Sequence, residues 1–474
     1  MPKKQKLSHE PAKTLTLDTQ ITNAYLDDQY SPGIFCSDDE GEIGPRELLP
    51  YVPYVEKTID TSSYAWTQKD FRPAETVKNW LQTCDKQHRN RGGCSIGPHA
   101  TDSPWSRPLL LIDVVKGCLV HTPPDAAYVA LSYTWGKNSS SSTCTLKENI
   151  ARFKETGGLI ASEETLPKTV KDAVEFVEQI GLRYLWVDRF CIVQDETVAK
   201  QSQLDAMGKI YAGSYLTIIA AESNDASGPL YIANNRSKRV DYDSQIGKSN
   251  PSGTDILVHH TCRLMLTAWY SRAWTLQEYL FSKRKVVFQD GTVNWECGIS
   301  AWHETQQVSM ETVPELKSEH NHARASSIAH LKDDSTGLDF PSWPDMSRYA
   351  RLVSLFNVRE LSFPEDVLDA FAGFLSHLSR VFPGGIISGI PAMCFDAALL
   401  WQPYRAMDRR KPIKMSASDA VLPSWSWAGW AGTLNSESWR SAANYLFEGE
   451  ETYLSPQTTW KTISTVEWSY SISL

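Results

Sequence analysis

Gly181-Leu-Arg-Tyr-Leu-Trp-Val-Asp-Arg-Phe-Cys-Ile-Val-Gln-Asp195 decides how this chain folds. Residues 184–187 are an almost wholly apolar run, the pattern of a strand buried on both faces. A charge, Asp188, stands where that strand should stop. Upstream, Val170, Ala173, Val174 and Val177 recur at helical spacing, so residues 167–180 read as an amphipathic helix. Pro167 suits its first turn and Gly181 the position just past its end. Downstream, Leu204, Met207, Ile210 and Tyr211 share one helical face, and residues 216–221 form a second apolar strand. Strand, helix, strand with buried strands implies parallel pairing through a right-handed crossover. The expected class is therefore α/β, a mainly parallel sheet with flanking helices. Strand 184–187 should lie at its centre, between 128–133 and 216–221. Ligands collect at the carboxyl ends of such strands, where Asp188, Cys191 and Asp195 leave the sheet.

Working outward, residues 128–135 (Tyr-Val-Ala-Leu-Ser-Tyr-Thr-Trp) have strong strand propensity, and a Gly/Ser loop runs from Gly136 to Thr143. Tyr133, Trp135 and Gly136 should border the same face as Asp188. Residues 108–115 and 117–120 suit a hairpin. So do 286–289 and 292–297, joined by Asp290-Gly291. Ser271 can cap a helix carrying Trp274, Glu278 and Phe281. Residues 76–84 read as a short helix. Beyond residue 345, Ser362-Phe-Pro-Glu-Asp366 has helix-start chemistry, and another helix should cover 391–401. Pro423-Ser-Trp-Ser-Trp427 looks like a strand or an aromatic clasp, with Trp425 and Trp427 on one face. The expected organisation is a polar, partly disordered arm over 1–104, a core domain over 105–300, a mobile linker over 301–345 and a helical, aromatic C-terminal region over 346–474.

Composition is that of an ordinary globular protein, with 41% hydrophobic and 22% charged residues. Seventeen tryptophans cluster in the second half and suggest aromatic-rich packing or a recognition surface there. A net charge of −9 argues against nucleic-acid binding. No apolar run reaches the roughly 18–20 residues needed to span a bilayer, and residues 1–17 lack the apolar core of a secretory signal. The nine cysteines include no C-x-x-C pair and are odd in number, so neither a zinc ribbon nor a disulfide framework is expected. Reduced thiols in a cytoplasmic protein, with no metal and no cofactor, are the expectation.

These blocks, in this order, resemble the fungal heterokaryon incompatibility domain, the HET domain. The resemblance is carried by Tyr128-Val-Ala-Leu-Ser-Tyr-Thr-Trp-Gly136, Leu166-Pro-Lys-Thr-Val-Lys-Asp-Ala173, Tyr184-Leu-Trp-Val-Asp188 and Phe190-Cys-Ile-Val-Gln-Asp195. It continues through Met207-Gly-Lys-Ile-Tyr211, Leu216-Thr-Ile-Ile-Ala-Ala221, Arg272-Ala-Trp-Thr-Leu-Gln-Glu278 and Trp295-Glu-Cys297, and covers roughly residues 105–300. It implies a role in non-self recognition and in the programmed cell death that follows fusion of incompatible cells. It also implies a distant likeness to TIR domains, some of which cleave NAD with a glutamate. Here Gln203 stands where related domains carry an acid, and a glutamine cannot serve as general base.

Each candidate has two readings. Asp188 is a ligand-contacting carboxylate or a turn cap. Cys191 is a nucleophile or a small buried hydrophobe. Asp195 contacts a ligand or caps the next helix. Arg272 and Glu278 form a buried ion pair that orients their segment, or half of a polar pocket. Tyr133 and Trp135 line a crevice or fill the core. The function expected is a signalling module that acts by self-association or through a protein partner. The other reading is a TIR-like enzyme that hydrolyses NAD or a related small molecule, with Asp188, Cys191 and Glu278 as its catalytic candidates. Tyr133, Trp135, Gly136, Asp195 and Arg272 are then the binding candidates.

Overall fold

The computed structural model describes residues 54–57, 73–88, 94, 107–136, 143–159, 166–231, 260–261, 263–298, 300–304, 306–312, 344–413 and 422–439. Most of the expected N-terminal arm, of the Gly/Ser loop and of the linker expected over 301–345, and all of residues 232–259, lie outside them.

One sheet organises the described residues. In chain order its strands are β1 (Tyr54–Lys57), β2 (Leu110–Asp113), β3 (Cys118–His121), β4 (Tyr128–Tyr133), β5 (Tyr184–Trp186) and β6 (Leu216–Ala220). They are followed by β7 (Arg284–Gln289), β8 (Thr292–Cys297), β9 (Ser300–His303) and β10 (Gln306–Thr312). The helices used below are α1 (Pro73–Gln87), α2 (Ile150–Lys154), α3 (Lys168–Gln179), α4 (Asp188–Cys191), α5 (Thr197–Asp205), α6 (Met207–Gly213), α7 (Ala268–Ser271), α8 (Trp274–Phe281), α9 (Met346–Asn357), α10 (Ala372–Val381) and α11 (Phe395–Ala398).

The strand order is β1-β10-β9-β8-β7-β6-β4-β5-β2-β3. Only β5-β4, β4-β6 and β6-β7 are parallel. The other six neighbouring pairs among the described strands are antiparallel. This corrects the expectation of a mainly parallel sheet: the class is α/β, but the sheet is mixed. The reason is local. Hairpin turns extend the parallel core on both sides, and a two-residue turn can only join antiparallel strands. The turn between β7 and β8 has Asp290 at φ 51° and Gly291 at φ 66°, the backbone that matches strand twist. Gly117, at φ 62°, turns β2 into β3.

The second correction concerns β5. It is buried inside the sheet, but its neighbours are β4 and β2, with Ile112 opposite Leu185. The strand between β5 and β6 is β4, whose six residues are all buried. A short apolar run shows that a strand is interior without showing who sits beside it.

Helix α3 buries Val170, Ala173, Val174 and Val177 as its periodicity requires. The expected single helix downstream of β5 is two, α5 and α6, divided at Ala206. Ser271 closes α7 instead of capping α8. The cap in this region is Thr267, whose hydroxyl accepts the backbone N–H of Tyr270 at 3.2 Å. Strand β10 falls within the stretch expected as linker.

The C-terminal residues pack onto the same core. Phe281 of α8 meets Phe374 of α10 with ring centres 5.2 Å apart. A Cβ added to Gly208 of α6 would lie 3.2 Å from Gly373 Cα, so these helices meet backbone to backbone. Two bonds, Ala273 N–H to Glu360 O (2.8 Å) and Glu360 N–H to Ser271 O (2.6 Å), stitch the segment joining α7 to α8 onto the residues after α9. The expected helix over 391–401 is one turn, α11, preceded by a 3-10 turn. Trp425 and Trp427 do not share a strand face. Trp427 is fully buried in a 3-10 turn, while Trp425 is 41% exposed.

Candidate functional site

The carboxyl ends of β4 and β5 deliver Ser132, Tyr133, Trp135 and Asp188 to one place, and α8 brings Glu278 against them. Asp188 begins α4. Its Oδ1 accepts the backbone N–H of Arg189 at 2.7 Å, and Trp135 Nε1–H donates to both of its oxygens, at 3.1 and 2.9 Å. The Arg189 guanidinium lies over the Trp135 ring, 5.0 Å from its centre, and its Nε–H donates to Thr143 O at 2.9 Å. Trp135 is thereby held by a carboxylate at its edge and a cation on its face.

Glu278 is 5% exposed. Its Oε2 accepts the Ser132 hydroxyl at 2.5 Å, and Ser132 Oγ accepts Trp269 Nε1–H at 2.7 Å. A chain of donors from α7 through β4 thus ends on the α8 carboxyl. Tyr211, from α6, donates its phenol to Leu131 O at 3.1 Å. Arg272 does not form the expected ion pair with Glu278: its Nη1 reaches Tyr133 O at 3.4 Å. The charges still act on one another. Burial pushes the Glu278 carboxyl up to about 7, with Asp188 adding to the rise and Arg272 opposing it. Burial likewise pushes Asp188 up to about 6, against the Arg189 N–H and Arg272. Two buried carboxyls with proton affinities near neutrality, one at the end of β5 and one on α8, have the electrostatics of an acid–base pair.

The remaining candidates separate. Cys191 is buried, with its sulfur near Val187 N (3.4 Å) and Leu185 O (3.8 Å), and burial pushes the thiol up to about 12. Asp195 is exposed, and its Oδ1 accepts the Lys147 N–H at 2.9 Å. Gly136 has φ 91°, and a Cβ there would lie 2.7 Å from Asp225 Cβ, so it turns the chain tightly just after Trp135. Gln203 takes no part in this centre. It is 2% exposed, and its Oε1 accepts Leu109 N–H at 3.1 Å at the entry to β2.

Sequence reasoning did not single out Ser132, Trp269, Tyr211, Arg189 or Arg359. Ser132 carried a usable signal, because a hydroxyl inside a wholly apolar strand must find a partner. Arg359 had none. It is 5% exposed and holds the segment joining α7 to α8 from behind, through Tyr270 O (2.5 Å), Thr275 Oγ1 (3.1 Å) and Arg272 O (3.3 Å). Its guanidinium also lies 3.9 Å from the centre of the Tyr270 ring.

Residues 128–278 match the model of the family described as Heterokaryon incompatibility protein (HET). The matched stretch runs from the first residue of β4 to Glu278, so both carboxyls fall inside it. The chain is also similar to heterokaryon incompatibility protein 6, OR allele, of Neurospora crassa, with 28% identity over 111 residues. That alignment covers 22% of this chain and 16% of the relative. No solved structure matches the chain. Among the described residues no helix is long and apolar enough to cross a membrane.

Proposed function

We propose that this chain, which carries a heterokaryon incompatibility domain over residues 128–278, serves fungal non-self recognition in the cytoplasm. On this reading it promotes the death of incompatible fusion cells as a signalling module, through self-association or a protein partner. One observation carries the choice of a module: the acidic centre is occupied by its own chain. Both Asp188 oxygens accept from Trp135, and Glu278 is sealed behind Ser132 and Trp269. Glu278, through Ser132 and Trp269, locks α7 and α8 onto the end of β4, while Asp188 locks Trp135 beside it. A rearrangement of that lock would alter the surface offered to a partner.

A second reading, TIR-like hydrolysis of NAD or a related nucleotide, draws on the same pair. Carboxyls at about 6 and about 7 suit general acid–base chemistry at neutral pH. The test is to express wild type and Asp188→Asn in a fungal host while following viability and cellular NAD together. The module reading expects wild type to kill with NAD unchanged, and Asp188→Asn to kill less. Depletion of NAD by purified wild-type protein, with Asp188→Asn inert, would overturn it in favour of the enzyme.

A further inference from the structure

At the opposite end of the sheet, where β7 begins and β8 ends, three cysteines and a histidine converge. Cys84, His88, Cys94 and Cys297 are all buried, and their ligand atoms lie within 4.8 Å of one another. We propose that these four side chains bind a structural zinc ion, one per chain.

The placement follows from the fold. Cys84 lies on α1 and His88 just past its end, but His88 N–H still bonds Cys84 O at 2.9 Å. The helical turn is therefore intact, and the two side chains project from one face. Cys297 is the last residue of β8, paired with Arg284 at the start of β7. His88 and Cys297 are 209 residues apart in sequence.

The chemistry selects the metal. Three thiols and an imidazole form a soft, compact donor set, the kind that takes zinc in tetrahedral coordination. With Zn–S bonds of about 2.3 Å, the edge of such a tetrahedron is about 3.8 Å, so the cluster needs little contraction. All four positions come from the protein and none is left for a substrate. This makes the site structural. On binding, each thiol releases its proton to solvent and coordinates as thiolate.

The surroundings fit that charge. His88 Nδ1 faces Cys297 Sγ at 3.5 Å, while its Nε2 meets Ser300 Oγ at 3.4 Å. Nδ1 is then the ligand atom and Nε2 the atom fixed by an outer partner, as metal-bound imidazoles require. Ser300 N–H donates to Cys297 Sγ at 3.2 Å, a bond that stabilises a thiolate. Trp302 stacks on His88 with ring centres 5.9 Å apart. Zinc with three thiolates carries one net negative charge. Arg284, 2% exposed, stands beside it and donates to Cys94 O at 3.0 Å while pairing with Asp85 at 2.8 Å. The ion would tie α1 and the segment containing Cys94 to the β8–β9 edge, a long-range staple across the core.

The full chain, purified under reducing conditions without added metal, should contain one zinc ion by plasma mass spectrometry. Removal with a strong chelator should lower the melting temperature, and added zinc should restore it. Cobalt(II) in its place should give the intense visible bands of a tetrahedral thiolate site. Cys84→Ser and Cys297→Ser should lose the metal, whereas Cys144→Ser, outside the cluster, should keep both metal and stability. His88→Cys tests the site even if the serine variants fail to fold. It preserves four soft ligands, so it should retain the metal and shift the cobalt spectrum. A wild-type chain that is metal-free and whose melting is indifferent to zinc and chelator would overturn the proposal. So would a disulfide joining two of these cysteines in the soluble protein under reducing conditions.

Discussion

Replacing Glu278 by glutamine should make the protein more stable at neutral pH, and the reason is the burial of its charge. The carboxyl is 5% exposed and its proton affinity rises from the ordinary 4.5 to about 7. An acid raised in the folded state binds its proton more tightly there than in the unfolded chain. Stability is therefore fullest below about pH 4.5 and is lost as pH climbs toward 7. At about 1.4 kcal/mol for each tenfold change in affinity, the loss reaches about 3 kcal/mol above pH 7. Glutamine has nearly the same shape, still accepts from Ser132, and never ionises. Denaturant unfolding of wild type and Glu278→Gln should agree near pH 4 and diverge by about 3 kcal/mol at pH 8, with the variant ahead. Asp188, raised from 3.8 to about 6, pulls in the same direction over a lower window. Asp188 adds to the rise at Glu278, whereas the rise at Asp188 comes from burial, so the slope that remains in the variant should lie in the Asp188 window. A variant less stable than wild type at pH 8, or a wild type that gains stability between pH 5 and 7, would refute the burial of a reluctant charge.

Three further substitutions probe the framework. Arg359→Ala should cost about 3 kcal/mol in denaturant unfolding, since it removes a buried guanidinium that donates to Tyr270 O, Arg272 O and Thr275 Oγ1. Arg272→Ala, which loses one 3.4 Å bond, should cost about 1 kcal/mol. Gly136→Ala forces an alanine to φ 91° and into Asp225, and should lower stability by about 2 kcal/mol in the same assay. An unchanged midpoint would mean that this turn relaxes freely.

The central unit was legible because its signals are local. Periodicity placed α3, apolar runs placed β4, β5 and β6, and Asp290-Gly291 placed the β7–β8 hairpin. Strand order was not legible, because burial on both faces is equally satisfied by β2 or by β6 as a neighbour of β5. Parallel pairing was overextended for a related reason. The strand–helix–strand rule governs the crossover it describes and says nothing about strands that hairpins add outside it.

The sequence named Asp188 and Glu278 but not the bonds that join them to their neighbours, and it missed the cysteine cluster, for the same physical reason. Each centre is assembled from segments far apart in the chain. Ser132 and Trp269, 137 residues apart, meet only because α7 and α8 pack across the end of β4. The cysteines lacked a C-x-x-C spacing because their grouping does not come from one loop. A helical turn supplies Cys84 and His88, and a hairpin edge supplies Cys297. A spacing rule detects ligands that fold into place locally and is blind to ligands delivered by tertiary structure. The zinc test and the Glu278 titration therefore address distinct ends of one sheet. Metal loss should loosen α1 and leave the pH dependence set by Glu278 in place. If removing zinc also abolished that dependence, the two ends would be cooperatively coupled through the strands between them, and the acidic lock would sense the integrity of the metal site.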